Sequence, residues 1–288
     1  MADFYAEVPV NMDTFSLCSL YRSSDAIRFG DNVEMDGAVV DMVALRYDGG
    51  ESVFGIIGTG IRFDTRTNAM TAGTVTMLVD GSMDGDTYWG AVGISLSAVA
   101  VERARLTSGT ADDAALMVQA FSKADTFFLS DGNDLIRSYA GNDTIDGFAG
   151  NDTIAGGSGN DIIRGGTGAD RLHGGTGTDI LSGGIDSSRD VFIFSTTADS
   201  SAGASRDTVR DFRTRVDDID LIGIDANAAK AGNQVFVWGG TKATKNGVWY
   251  QDVGADMLVF ADVNGDRVAD FSLRLVGVAS LGAGDFFL

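Results

Sequence analysis

Asp134, Asp143, Asp152, Asp161, Asp170 and Asp179 recur every nine residues. A row of carboxylates at one fixed spacing suits the holding of cations better than it suits turnover. Each Asp follows by two residues a glycine, namely Gly132, Gly141, Gly150, Gly159, Gly168 and Gly177, and precedes by two an aliphatic residue, Ile136, Ile145, Ile154, Ile163, Leu172 or Leu181. Three residue classes held in phase are the signature of a repeat architecture, not of a low-complexity linker. Further glycines, Gly147, Gly156, Gly157, Gly165, Gly166, Gly174 and Gly175, open the turns. Glycine admits the left-handed backbone that leaves carbonyl oxygens pointing inward, and the aliphatic residue then begins a short strand. Carboxylates with turn carbonyls form the all-oxygen surrounding that a hard cation such as Ca²⁺ prefers.

The unit Gly156-Gly157-Ser158-Gly159-Asn160-Asp161-Ile162-Ile163-Arg164 matches G-G-x-G-x-D-x-U-x throughout and resembles the RTX calcium-binding nonapeptide. The resemblance implies a parallel β-roll in which two units make one coil. Asp134, Asp152 and Asp170 would then line one edge, and Asp143, Asp161 and Asp179 the other. Pairing neighbours along each edge gives four regular Ca²⁺ sites: 134 with 152, 152 with 170, 143 with 161, and 161 with 179. One buried Ile or Leu per unit contributes roughly 1.5–3 kcal/mol, against about 1–2 kcal/mol of backbone entropy for each ordered residue. The metal-free repeat is therefore expected to be disordered, and binding becomes folding. Site affinities on the order of 10⁻⁴–10⁻³ M, as in extracellular modules, would separate a low-calcium cytosol from a calcium-rich exterior.

The array frays at its edges. Asp125 and Phe127 keep the phase one unit earlier without the glycines, and Asp190 follows Gly183-Gly184 with two extra residues between; Asp190 is a further candidate ligand. Asp262, Asn264, Asp266 and Asp270 have the one-three-five-nine oxygen spacing of a calcium loop, although Leu273 stands where a full EF-hand places Glu; a solvated acidic turn is the alternative. His173, the lone histidine, ends its unit at an outward-facing position and receives no role.

Asp207-Thr208-Val209-Arg210-Asp211-Phe212, Asp217-Asp218-Ile219-Asp220-Leu221, Asp262 to Phe271 and the closing Ser280 to Leu288 resemble the region after the repeats in serralysin-type secreted metalloproteases. This implies a β-rich C-terminal cap, a type I secretion signal in the last residues, and export by an ABC exporter without cleavage. Trp238, Trp249 and Tyr250 lie on short apolar runs that read as hairpin core rather than as a sugar-stacking platform.

The formal net charge of -20 disfavours nucleic acid and anionic membranes as partners. With 44% hydrophobic residues the chain has enough apolar surface to fold once its charge is compensated. Cys18 is alone, so no internal disulfide is expected. The first residues lack the basic and apolar regions of a signal peptide, and the most apolar stretch, 89–101, is too short for a transmembrane segment. Long apolar helices of the kind pore-forming RTX toxins need are not found.

Residues 1–124 read as a β-rich domain, with strands near 39–47, 52–63 and 74–79 and a helix near 111–123 that begins with a capping pattern at Thr110 and Asp113. The protease that a serralysin-like tail would accompany has no zinc-binding His-Glu-x-x-His, and neither a Gly-x-Ser-x-Gly elbow nor a second histidine is present. Carboxylate pairs such as Asp84 with Asp86 or Glu34 with Asp36 are turn residues by default.

The expectation is a mainly β protein in three parts: the N-terminal domain 1–124, the calcium-binding β-roll 125–194 and the cap 195–288. Its expected function is that of a secreted, non-enzymatic calcium-binding protein at a cell surface or in a matrix, with extracellular polysaccharide as a partner. The alternative is a polysaccharide-acting enzyme with an unrecognised N-terminal site.

Overall fold

The computed structural model describes residues 3–6, 25–28, 33–35, 38–47, 52–63, 70–82, 87–97, 100–101 and 111–288. They fall into two compact units, Met1–Leu129 and Ser130–Leu288. Cys18, Thr110, Asp36, Asp84 and Asp86 lie outside the described residues.

In the first unit β1 (Asp3–Ala6), β2 (Asp25–Arg28), β3 (Val33–Met35), β4 (Ala38–Tyr47), β5 (Ser52–Phe63), β6 (Met70–Ser82) and β7 (Thr87–Ser97) precede helix α1 (Ala111–Ala120) and β8 (Thr126–Phe128). The strands expected near 39–47, 52–63 and 74–79 are β4, β5 and β6. These three and β7 form an antiparallel meander, with β2 and β3 beside β4 and with β1 running antiparallel to β7 and parallel to β8. Alternation sets the inward face: Ile94 and Leu96 on β7, two residues apart, are both buried. On α1, which lies against β7, Leu116 and Met117 turn inward, and just beyond its end the Phe121 ring packs on Phe127 at 5.2 Å.

The second unit is a roll of short parallel strands. One ladder stacks β9 (Leu135–Arg137), β11 (Thr153–Ser158), β13 (Arg171–Thr176), β15 (Val191–Ile193), β17 (Asp218–Asp220) and β22 (Phe286–Phe287). The other stacks β10 (Thr144–Asp146), β12 (Ile162–Arg164), β14 (Ile180–Ser182), β16 (Asp207–Arg210) and β21 (Phe271–Leu275). Each strand contributes one buried side chain to a continuous column. The first column is Ile136, Ile154, Leu172, Phe192, Ile219 and Phe286; the second is Ile145, Ile163, Leu181, Val209 and Leu275.

Parallel stacking runs on past Phe194, where the nine-residue period has ended. Longer loops leave the roll between coils while the strands on either side keep register. An antiparallel extension is added by β20 (Met257–Ala261) on β21 and β19 (Gly247–Asp252) on β20, and β18 (Val237–Gly240) then runs parallel to β19. Trp249 is buried and stacks on Phe260, while Trp238 meets Tyr250 and Phe286, so these aromatics pack in two groups. Among the described residues no helix is long and apolar enough to cross a membrane.

Candidate metal centre

Each turn of the roll ends on an Asp whose backbone N–H donates to Oδ1 of the Asp one coil further on. Asp134 N–H bonds Asp152, Asp152 bonds Asp170, Asp143 bonds Asp161 and Asp161 bonds Asp179, each at 2.8 Å. The two edges derived from the sequence, 134/152/170 and 143/161/179, are therefore the two edges of the structure. The side chains are buried, and one carboxylate oxygen of Asp152, Asp161, Asp170 and Asp179 is spent on this rung.

The other oxygen is open. Oδ2 of Asp152, Asp161, Asp170, Asp179 and Asp207 is buried without a hydrogen-bond partner, an arrangement that native interiors rarely leave uncompensated. Burial pushes these carboxyls up against the opposing pull of the backbone N–H rung, and neighbouring charges add to the rise. Asp152 and Asp161 reach about 7, Asp170 and Asp179 about 6, and Asp207 about 8.

The glycines make room for whatever answers these oxygens. A Cβ on Gly156 would overlap Asp161 Oδ2 and come within 2.7 Å of Gly174 O; one on Gly147 would overlap Gly165 O and reach 2.6 Å from Asp152 Oδ2. The turn interiors are thus oxygen-lined cradles that a methyl group would fill. Among the described residues no three His, Cys, Asp or Glu side chains converge, so a cation there would take carbonyl oxygens as well as carboxylates. That donor set fits Ca²⁺, which accepts six to eight mixed oxygen ligands, and not Zn²⁺, which takes His and Cys. Bound Ca²⁺ would supply the positive charge that lets the buried carboxylates ionise.

Asp190, already a candidate from the sequence, and two residues that nine-residue counting overlooked, Asp207 and Asp217, extend the ladder. Asp170 N–H donates to Asp190 Oδ1 at a separation of 20 residues, Asp179 N–H to Asp207 Oδ1 at 28, and Asp190 N–H to Asp217 Oδ1 at 27. The aliphatic column was the signal that could have found them, since Val209 and Ile219 stand two residues after Asp207 and Asp217 as Ile136 does after Asp134. A second, outer ladder is built by asparagines: Asn133 Oδ1 accepts from Asn151 N–H, and Asn151 Oδ1 from Ala169 N–H, both at 2.7 Å. Asp186 continues it by accepting from Gly168 N–H.

The ends of one edge are closed by local bonds. Asp134 Oδ2 accepts from the N–H and hydroxyl of Ser130, and Asp217 Oδ2 from Arg213 N–H. In the 262–270 loop, Asp262 is fully buried and accepts N–H bonds from Asn246, Asn264, Gly265 and Arg267. Burial opposes its ionisation, but these four bonds hold it below the usual carboxylate value. Asn264 and Val263 both donate to Asp270, and Asp266 Oδ1 accepts from Val268 N–H. His173 is not an idle surface residue. Its Nε2 lies 2.9 Å from Oδ2 of Asp199, a residue of the first long post-repeat loop that no repeat phase could have paired with it.

Two turns carry side chains where the later units have glycine. Tyr139 and Phe148 sit at φ 69° and 62°, in the left-handed region, which costs about 1–2 kcal/mol for a residue with a Cβ. Phe148 is 45% exposed and so has less packing to lose than a core aromatic. Phe148→Gly is expected to stabilise the calcium-loaded roll by about 1 kcal/mol, read as a higher urea midpoint at fixed calcium; a lower midpoint would show that the ring's contacts outweigh the backbone strain.

A family model for the RTX calcium-binding nonapeptide repeat, four copies long, matches residues 128–163 and 156–188. No curated protein matches the chain. Among solved structures, the AlgE6R3 subunit of Azotobacter vinelandii mannuronan C5-epimerase is similar at 24% identity over 58% of this chain and 78% of that one, with a TM-score of 0.35. The AlgE6R2 subunit of the same enzyme is similar at 20% identity over 58% and 92%, with a TM-score of 0.30. Glycine cradles, buried aspartate ladders and the family match coincide on one segment, and residues 128–188 are RTX calcium-binding nonapeptide repeats.

Proposed function

We propose that the chain is a secreted protein that folds on meeting extracellular Ca²⁺, after export through a type I ABC exporter, and that its N-terminal β domain binds extracellular polysaccharide at a cell surface or in a matrix. The observation that carries the calcium reading is the row of buried, unpartnered Asp Oδ2 atoms facing glycine-cleared cradles. Adjacent pairs on the two edges give the four regular sites, of which 134 with 152 differs in that Ser130 already donates to Asp134 Oδ2. Without a cation the roll must bury carboxylates with nothing opposite them, so it folds where calcium is abundant.

Timing of export is supported by the last strand. β22 pairs with β17, and Asp285 accepts N–H bonds from Arg215 and Gly282. A secretion signal in these residues is readable only while the chain is unfolded. Low cytosolic calcium would keep it so.

The test is a calcium titration of the chelated full-length chain followed by circular dichroism. Strand signal should appear cooperatively and vanish on chelation; a spectrum indifferent to calcium would remove the basis of the proposal. Co-sedimentation of the calcium-loaded protein with bacterial exopolysaccharides tests the N-terminal role. Binding without change to the polymer supports it, and depolymerisation or chemical alteration of the polymer would replace it with an enzyme.

A further inference from the structure

The geometry points to a Ca²⁺ site between Asp179 and Asp207, one coil beyond the last nonapeptide. This rests on the calcium reading of the repeats and extends it to a residue outside the matched segment 128–188. Asp179 N–H donates to Asp207 Oδ1 at 2.8 Å, the same rung that links the repeat aspartates, although 28 residues separate the two instead of 18. Register explains how the distance is bridged: Leu181 pairs with Val209, so the intervening residues leave the roll and return on the next coil.

Both Asp179 and Asp207 have 0% exposure, and Oδ2 of each is unpartnered. The Asp207 rung is also the last on its edge. Its own N–H goes to Ser200 Oγ at 2.8 Å, and that hydroxyl donates to Ser272 O. The nearby Asp199 offers no ligand, because His173, Ser195 and Thr196 fill its oxygens. It adds negative charge beside two open carboxylate oxygens, which a cation relieves. The other edge ends differently, since Asp217 Oδ2 is closed by Arg213 N–H. The Asp207 edge therefore ends on an open carboxylate oxygen, whereas the other, continued by Asp190, is capped at Asp217.

Two measurements on the full-length chain test this. Crystals grown with calcium and measured near a wavelength where calcium scatters anomalously should show a peak within about 2.3–2.6 Å of carboxylate oxygens of Asp179 and Asp207. Native mass spectrometry should count one fewer Ca²⁺ on Asp207→Asn and the wild-type number on Asp217→Asn. Peaks in the repeat turns but none at Asp207, or an unchanged count on Asp207→Asn, overturn the site and leave the repeats as calcium binders. Absence of every peak would overturn the calcium reading as well. Should Asp207→Asn fail to fold, the map of the unsubstituted protein decides alone.

Discussion

Asp161→Asn is expected to destabilise the calcium-loaded roll by about 5 kcal/mol, because Asp161 stands between Asp143 and Asp179 and would serve two of the four proposed sites. Each site contributes about 2.7 kcal/mol when calcium is one hundred times its Kd, and a loss of two approaches the whole stability of an ordinary domain, about 5–15 kcal/mol. The substitution keeps an Oδ1 acceptor for Asp143 N–H, so the rung itself survives. Without calcium the sign should reverse. Asp161 Oδ2 is then a buried, unpartnered carboxylate oxygen, and an amide in its place removes a charge whose burial is costly. Urea unfolding in saturating calcium, and in calcium-free buffer with an osmolyte to favour the folded state, measures both. Equal costs under the two conditions would make Asp161 a structural residue and not a ligand.

The same residue shows how much the sequence discloses. Its edge, the strand that follows it and its buried neighbour Ile163 all follow from phase, because each coil of the roll repeats the same backbone path and so demands the same residue types. Phase fails where the path is kept but the loop lengths change. Asp207 and Asp217 accept the same backbone rung as Asp161 on coils reached through long excursions, and only the returning strand betrays them. The boundary at 194 is accordingly where the period ends; the parallel ladder passes through it to Phe286. Asp199 could not be read at all, since its partner His173 lies 26 residues away across a loop of no regular form. Tyr139 and Phe148 are the opposite case. They stand where the pattern has glycine, yet the coil imposes the left-handed backbone there regardless. The family constraint lies in the path, and the residue type follows where it can.

Acidity should move the metal-free and metal-loaded proteins in opposite directions. In the metal-free roll, burial, opposed by the backbone rungs and reinforced by neighbouring aspartates, raises Asp152, Asp161 and Asp190 to about 7, Asp170 and Asp179 to about 6 and Asp207 to about 8, from 3.8. A carboxyl raised in the folded state favours folding when protonated. Its contribution is fully present below about 3.8, the unfolded value, and is lost as pH rises through the folded values of about 6 to 8. Calcium-free protein is therefore expected to gain strand signal in circular dichroism on going from pH 8 to about pH 5. Calcium needs the same groups ionised, so its binding releases protons and its folding midpoint should rise over the same interval. His173→Gln should leave both trends in place, because the aspartates carry them. A calcium-free signal that stays flat or falls on acidification, or a calcium midpoint indifferent to pH, would mean that these carboxylates are not what joins calcium to folding.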